Sequence, residues 1–279
     1  MNALPPSLPL PPSPAPPPPV PPPPASELGA ARERPRASWS VVEAIGLYLV
    51  GNVGVGQLLV AGIALALLGI RELPAGGATL ETLAVSALVA LAFVAVVVAW
   101  MRRRHPGWEQ AVGLRTQRGL RRDALWGAVA GIALYPAVSL VAGSIVLVVL
   151  RALTGHDVQV PDQLAPGLGL GGRVVAAVYA LGIAPVAEEL YFRGVLFRSL
   201  RDRHGFVLAA AASSLLFGLV HWPAGTPAAD AVVLPLVMSV TGVGLAWIYE
   251  RGGNLVVPIV AHVVFNAIGL AIIFSGVGS

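Results

Sequence analysis

Cysteine is absent from the 279-residue sequence, which excludes disulfide bonds, thiolate metal sites and cysteine nucleophiles. Charged residues are also scarce: they make up 11% of the chain, against about 25% in a typical soluble domain. Hydrophobic residues make up 56% and fall in long blocks, such as residues 83–100, which contain no charge. Because about 20 apolar residues span the core of a bilayer, these blocks indicate an integral membrane protein.

Residues 1–38 differ in composition from the rest of the chain. A proline tract over residues 5–25 has the character of polyproline II and lacks a periodic apolar face. We therefore predict a disordered, semi-stiff cytoplasmic tail that acts as a spacer, with binding to an SH3-like partner as the alternative. Residues 39–279 are predicted to form a transmembrane helical domain.

The rest of the sequence contains seven candidate membrane spans. Their runs are long and continuously apolar, which favours helices over the alternating strands of a barrel. The predicted fold class is therefore all-α, a polytopic membrane helix bundle of about seven transmembrane helices. The fifth span is the weakest, because Phe206 to His221 would make only about 24 Å of helix. Gly127 and Gly131, four residues apart in the third span, predict close helix packing. The spans are residues 41–70, 79–101, 122–150, 173–199, 206–222, 229–249 and 254–275.

Every basic residue except histidine is arginine, and the distribution of the 18 arginines predicts an orientation. With the N-terminus in the cytoplasm, fourteen fall inside, three fall outside, and Arg193 lies within a span. This bias follows the positive-inside rule and explains the net charge of +4 without a nucleic-acid partner. Heavy use of Arg, Ala, Gly, Val and Pro suggests a bacterial source, so we expect the bacterial inner membrane, with the N-terminus cytoplasmic. The fourteen are Arg32, Arg34, Arg36, Arg102, Arg103, Arg104, Arg115, Arg118, Arg121, Arg122, Arg198, Arg201, Arg203 and Arg251.

The fourth span carries three charged residues, Glu188, Glu189 and Arg193, between two apolar stretches. Each charge near the centre of a membrane helix costs about 2.5–3.5 kcal/mol on insertion scales, so these groups must pair or face a polar cavity. Glu189 and Arg193 are four residues apart with the acid first, the favourable order for an ion pair. Glu188 is five residues from Arg193, about 140° around an α-helix, which leaves it as the free carboxylate. The alternative is that all three form one inert buried network.

Two later spans carry the other polar candidates, His221, His262 and Asn266. His221 follows Phe217 by four residues, and alone it would more often be a hydrogen-bonded residue near a helix end. His262 and Asn266 lie one turn apart in an otherwise apolar helix, where an interhelical hydrogen bond is the alternative to a functional cavity. Counted at about 1.5 Å per residue, the helices bring these residues and Glu188 to a similar depth. The sequence therefore predicts one shared polar site.

Such a site contains the groups that peptide hydrolysis needs. Glu188 can take a proton from water, histidine can orient that water or protonate the leaving amine, and Asn266 can donate to an oxyanion. The sequence contains no G-x-S-x-G and no HExxH, so an activated water is favoured over a covalent nucleophile. No cofactor is favoured, although zinc held by Glu188, His221 and His262 remains open.

The order of these motifs resembles that of the CPBP family, the CAAX proteases and bacteriocin-processing enzymes formerly called the Abi family. The family's EExxxR, FxxxH and HxxxN motifs are matched at Glu188–Arg193, Phe217–His221 and His262–Asn266. The match covers a core of about residues 173–275. WEQAVGLR at Trp108–Arg115 is similar to a further segment of the family.

The resemblance implies an intramembrane endopeptidase related to type II CAAX prenyl endopeptidases, described in the family both as metalloprotease and as glutamate-dependent protease. It implies that Glu188 is the essential base. The other implied site residues are Glu189, His221, His262 and Asn266. The expected partners are a membrane-anchored peptide or protein substrate and the lipid bilayer. The competing functions are a transporter or proton path, which the lack of paired inverted repeats disfavours, and a non-catalytic scaffold that binds membrane peptides.

Overall fold

The computed structural model describes residues 35–70, 77–116, 118–223 and 226–276, and most of the predicted tail lies outside this range. Six described helices are long and apolar enough, by length and composition, to cross a membrane. They are α1 (Val41–Leu68), α2 (Leu80–Arg104), α4 (Leu120–Thr154), α5 (Leu170–His204), α8 (Val233–Gly252) and α9 (Val256–Ser275). The shorter helices are α3 (Trp108–Ala111), α6 (Phe206–Leu219) and α7 (Ala228–Ala231).

The predicted all-α membrane bundle is confirmed, and the long helices differ from the predicted spans by only a few residues at each end. The helix that least fits a predicted membrane span is α6, which has 14 residues. At 1.5 Å per residue it measures about 21 Å, less than a bilayer core of about 30 Å. The span predicted over residues 206–222 is therefore too long, because the helix ends at Leu219, before the turn that carries His221.

Local sequence signals set the helix ends. Ser40 caps α1, because its side chain accepts a hydrogen bond from Glu43 N while the Glu43 carboxylate accepts one from Ser40 N. The last turn of α2 carries three arginines, which complement the partial negative charge at a helix C-terminus. α8 ends at Gly252 and is followed by Gly253 at φ 74°, a left-handed conformation that favours glycine.

The outer surface of the bundle is apolar. Large side chains such as Leu58, Leu67 and Val148 are exposed on it, and only 6% of the most apolar window of α4 is buried within the protein. In water, exposed hydrocarbon is unfavourable by about 25 cal/mol per Å², whereas lipid tails are a matching solvent. The chain is therefore an integral membrane protein.

Three of the long helices contain π-helical stretches, in which backbone hydrogen bonds join residues five apart instead of four. They are Leu49–Ala61 in α1, Ala137–Ala142 in α4, and Tyr179–Ile183 and Glu189–Phe197 in α5. The sequence prediction assumed α-helical geometry throughout. The difference is important because π-helical winding changes which side chains share a face, and such stretches are frequent at functional sites.

The middle of α5 is enclosed by the bundle, since every residue of Glu189–Phe197 is buried. Tyr191 donates its hydroxyl hydrogen to Ala44 O of α1 at 3.0 Å. Trp39, just before α1, donates from Nε1 to Val195 O at 2.9 Å. These buried hydrogen bonds hold the segment that begins with Glu189 against α1 and the residues before it.

α4 packs closely along α9 through Gly127 and Gly131. A Cβ atom at Gly127 would lie 2.5 Å from Val257 O, and one at Gly131 would lie 2.5 Å from Ala261 O. Only glycine permits this approach, so the predicted close-packing site is confirmed. Because Ala261 directly precedes His262, this contact positions the part of α9 that carries a candidate site residue.

Candidate active site

Glu189 is fully buried in α5 and is held by two basic side chains. Its Oε1 atom accepts hydrogen bonds from Arg193 Nη1 and from His262 Nδ1, each at 2.9 Å. Arg193 also donates from Nη2 to Gly242 O at 3.1 Å and lies 4.5 Å from the ring centroid of Phe217. Buried charges need such compensation, so this cluster is an ion pair extended to a histidine.

Glu188, the preceding residue, faces a cavity. Its side chain is 23% exposed, whereas that of Glu189 is 0% exposed. His262 Nε2 lies 3.8 Å from Glu188 Oε2, which is longer than a hydrogen bond. Within the described part of the chain, Glu188 Oε2 has no hydrogen-bond partner. The Oε2 atom is itself buried, so Glu188 meets the cavity through the rest of its partly exposed side chain.

The two carboxylates have different partners although α5 lacks the geometry that the sequence argument assumed. Glu189–Phe197 is π-helical, and residues five apart then lie nearly above one another, so the 140° separation of Glu188 from Arg193 does not apply. The ion pair nevertheless joins Arg193 to Glu189. It does so because Glu189 lies among the buried groups, where it also meets His262.

His221 lies in the turn after α6 and lines the same cavity as Glu188. Its Nδ1 atom is 2.7 Å from Phe217 O. Since a carbonyl oxygen only accepts, Nδ1 carries a proton and donates it. In the same way, His262 Nδ1 donates to the carboxylate of Glu189. Each histidine is thus oriented through Nδ1, which leaves its Nε2 atom for proton transfer or hydrogen bonding.

Asn266 lies one turn beyond His262 on α9 and is tied to α5. Its Nδ2 atom donates to Ala180 O at 2.8 Å, within the π-helical stretch Tyr179–Ile183. An amide has two Nδ2 hydrogens, so one remains for another acceptor. Asn266 lines a second cavity, which Glu188 also lines.

Two cavities meet at Glu188. The first, of about 310 Å³, lies between α1, α2, α5 and the turn after α6. The second, of about 500 Å³, lies between α4, α5, α8 and α9. Ser86, Tyr179 and Ala184 line both cavities together with Glu188. Ligand sites in proteins commonly measure about 300–1,000 Å³, so each cavity can hold part of a small peptide.

The first cavity contains polar residues that the sequence prediction missed. Tyr48, Asn52 and Gln57 of α1 and Tyr179 of α5 line it beside Glu188. A signal for them was present, because polar side chains inside apolar spans are rare and mark functional paths. The predicted site residues all lie in the fourth, fifth and seventh spans, and the polar residues of the first span and Tyr179 were left out.

A zinc ion in this site would take Glu188, His221 and His262 as its candidate ligands. Among the residues that the structure describes, no three His, Asp or Glu side chains lie close enough together to hold a metal ion. The Nδ1 atoms of His221 and His262 are engaged by Phe217 and Glu189. Zinc ligands lie about 2.0–2.2 Å from the metal, and the set that includes Glu188 is not gathered around one such point.

Residues 171–268 match the family described as type II CAAX prenyl endopeptidase Rce1-like. This range begins in the first turn of α5 and ends in α9, so it contains the helices that carry the candidate site. The resemblance to the CAAX proteases that the motifs predict is thereby confirmed. The site residues within the matched range are Glu188, Glu189, His221, His262 and Asn266.

The chain is also similar to a protein of Bacillus subtilis (strain 168) named "Putative membrane peptidase YdiL". The two are 34% identical over 84 residues, which cover 30% of this chain and 31% of the relative. The likeness therefore spans about a third of the length of each protein. No solved structure matches the chain.

Proposed function

We propose, from the premise that residues 171–268 form a CAAX-protease core, that this protein is an intramembrane endopeptidase that hydrolyses membrane-associated peptides or proteins. One observation carries the proposal. Glu188 has a partly exposed carboxylate side chain at the junction of two cavities, beside a histidine that the buried Glu189 orients. A base beside a histidine fixed by a third group is the arrangement that activates a nucleophile.

In the proposed reaction, a water molecule in the cavity gives a proton to Glu188 as its oxygen bonds to the carbonyl carbon of the substrate. The product is a tetrahedral intermediate with a negative oxygen. When it collapses, the carbon–nitrogen bond breaks and the leaving amine takes up the proton held by Glu188, either directly or through a histidine Nε2 that accepts it from Glu188 and passes it on. The carboxyl product then leaves, and the site returns to its starting protonation state.

The supporting residues have separate tasks. His262 is held by Glu189 through Nδ1, so its Nε2 can orient the water or pass a proton. Asn266 keeps one Nδ2 hydrogen beyond its bond to Ala180 O, and that hydrogen can stabilise the oxyanion. Loss of one such donor lowers turnover about 100- to 1,000-fold in other hydrolases. His221 lines the Glu188 cavity and is the second candidate proton carrier.

The depth of the site supports a substrate that lies in the bilayer. Glu188 is near the middle of α5, about 24 Å along the helix from His204 at 1.5 Å per residue. A membrane-anchored peptide reaches that depth without leaving lipid. We further propose that the protein resides in a bacterial inner membrane with a cytoplasmic N-terminus and has no nucleic-acid partner.

The deciding experiment uses the full chain purified in detergent and a library of membrane-anchored peptides, with products identified by mass spectrometry. We expect the native protein to cleave a subset of the peptides. Glu188→Gln should reduce the rate at least about 100-fold, the contribution of a general base. Glu81→Gln, which changes an exposed glutamate at the start of α2, is the matched control and should retain native turnover. Cleavage at the native rate by Glu188→Gln would remove Glu188 from the role of base.

A carboxylate base acts without zinc, so we propose that the enzyme needs no metal. The purified protein should contain no stoichiometric zinc and should keep its turnover in EDTA, as measured by elemental analysis and peptide cleavage. Zinc at one per chain, with activity lost on chelation and regained on return of the metal, would contradict this mechanism. Glu188, His221 and His262 would then be reassigned as metal ligands.

A further inference from the structure

Two side-chain amides in the first cavity have no partner in the protein. Asn52 and Gln57 of α1 line the cavity with Glu188, and neither forms a hydrogen bond to the described residues. Asn52 is half-buried and Gln57 is exposed, so both amides are accessible from the cavity. Because lipid offers no hydrogen bonds, a polar molecule in the cavity is the favourable partner for them.

The π-helical stretch Leu49–Ala61 aligns these two amides. In an α-helix, residues five apart would point about 140° away from each other. In a π-helix, whose hydrogen bonds join residues five apart, Asn52 and Gln57 come nearly into line on the cavity side. The unusual winding of α1 thus has a specific result, which is a pair of amides on one face.

The spacing of the pair fits an extended peptide. Five residues of α1 rise at most about 7.5 Å. In an extended chain, backbone groups on the same edge recur every two residues, which is roughly 6.6 Å. Each amide offers both a donor and an acceptor, so each can bond one N–H or C=O group of such an edge.

Close packing of α1 on α2 keeps this face in place. A Cβ atom at Gly56 would lie 2.9 Å from Val89 Cγ1, and one at Gly51 would lie 3.0 Å from the Phe93 ring. Glycines thus let the amide-bearing stretch approach α2. On α2, Ser86 donates its hydroxyl hydrogen to Thr82 O, so its oxygen still accepts. The side of the first cavity formed by α1 and α2 therefore offers both hydrogen-bond donors and acceptors.

We propose that Asn52 and Gln57 form a subsite that binds the backbone of an extended peptide substrate and places a peptide bond beside Glu188. This inference rests on the proposed peptidase function and adds the part of the site that holds the substrate. Because backbone groups are the same in every sequence, the subsite selects extended conformation and tolerates different side chains. Asn52 and Gln57 are positioning residues and do not take part in bond breaking.

The test compares Asn52→Leu and Gln57→Leu with the native chain, using a peptide that the native protein cleaves. Leucine is close in size and cannot hydrogen-bond. Each variant should raise KM about 3- to 10-fold, the worth of one hydrogen bond, and leave kcat unchanged. The unfolding temperature should not fall, because a free amide contributes nothing to the fold. Leu58→Ala, on an exposed position of the same stretch, is the matched control and should change neither constant.

A substrate with one backbone amide replaced by an ester separates direct contact from an indirect effect. At the position bound by Asn52, the ester should raise the KM of the native protein by the same factor. It should not raise the KM of the Asn52→Leu variant any further. If the ester and the leucine substitution raised KM by independent factors at every ester position, the proposal would be overturned. A fall in kcat with KM unchanged, or a lowered unfolding temperature with KM unchanged, would overturn it as well.

Binding is measured separately, so that this inference and the peptidase function can fail independently. The probe is a fluorescent synthetic peptide with an apolar membrane anchor and an extended valine–threonine tail, followed by anisotropy in detergent. Suppose that the native chain binds the probe but cleaves no peptide, and that both leucine variants bind the probe more weakly. The subsite then stands and the peptidase function fails. If the native chain cleaves peptides but the variants bind and cleave them as the native chain does, the subsite fails alone. If the native chain does not bind the probe or any library peptide, the subsite fails.

Discussion

Glu188 and Glu189 are neighbours in the chain and occupy opposite electrostatic environments. The charge of Glu189 is compensated inside the protein by Arg193 and by a hydrogen bond from His262. In both carboxylates Oε2 has no hydrogen-bond partner among the described residues, but only the Glu188 side chain is partly exposed and lines both cavities. We therefore expect Glu189 to contribute mainly to folding and Glu188 mainly to chemistry.

Thermal unfolding in detergent tests this division. Glu189→Gln should lower the free energy of unfolding by about 3–5 kcal/mol, because it leaves the buried Arg193 without its counter-charge. Activity should fall too, since His262 loses the carboxylate that orients it. Glu188→Gln should unfold within about 1 kcal/mol of the native protein, because it breaks no hydrogen bond of the described residues. Equal melting of the two variants would contradict the division.

The pairing of Glu189 with Arg193 could be predicted from sequence, because four-residue spacing brings an acid and a base together in most helical geometries. The bond from His262 to Glu189 could not. It depends on how α9 lies against α5, and Glu189 already had a partner in the sequence argument. The sequence therefore indicated which polar residues lie near one another, but it did not predict the bond between His262 and Glu189.

The contact between α4 and α9 is a test of how helix packing positions the site. Gly131→Ala should destabilise the protein by about 1–3 kcal/mol, since the new methyl group would lie 2.5 Å from Ala261 O and the helices must shift. Turnover should fall as well, because His262 follows Ala261. Thermal unfolding and peptide cleavage measure the two effects.

Gly62→Ala in α1 is the control for that substitution. No atom lies within 4 Å of a Cβ placed at Gly62, so the change adds no clash. Alanine favours the helix over glycine by up to about 1 kcal/mol, and stability should stay the same or rise. If Gly131→Ala also left stability unchanged, the close approach of α4 and α9 would not be essential to the fold.

The positions of the long helices could be predicted from the sequence, but the π-helical geometry of parts of them could not. Continuous apolar runs located α1, α2, α4, α5, α8 and α9 within a few residues, because the bilayer requires that length of hydrocarbon. The π-helical stretches left no mark in the apolar pattern, since a run that is apolar on every side has no periodicity to read. Asn52 and Gln57 were visible in the sequence as polar residues within an apolar span, but their alignment on one face depends on this winding.

Contacts between loops divide the described connections into two ends of the bundle. At one end, Leu255 N donates to Gly113 O, which joins the segment after α2 to the start of α9. Asn254 donates to Asp123 in the first turn of α4, and so adds α4 to the same end. At the other end, Gln159 N donates to the carboxylate of Asp230, which joins the loop after α4 to α7.

The arginine bias adds a direction to these two ends. The end that contains Gly113 and Asn254 also contains the arginines at the C-terminal ends of α2, α5 and α8, and the positive-inside rule predicts that this end faces the cytoplasm. The absence of cysteine makes this testable with single substitutions in an otherwise unreactive chain. His156→Cys, in the exposed loop after α4, should react with a membrane-impermeant maleimide in intact bacterial cells. Thr116→Cys, between α3 and α4, should react only after the cells are permeabilised. The reverse pattern would invert the orientation and place the arginine-rich end outside.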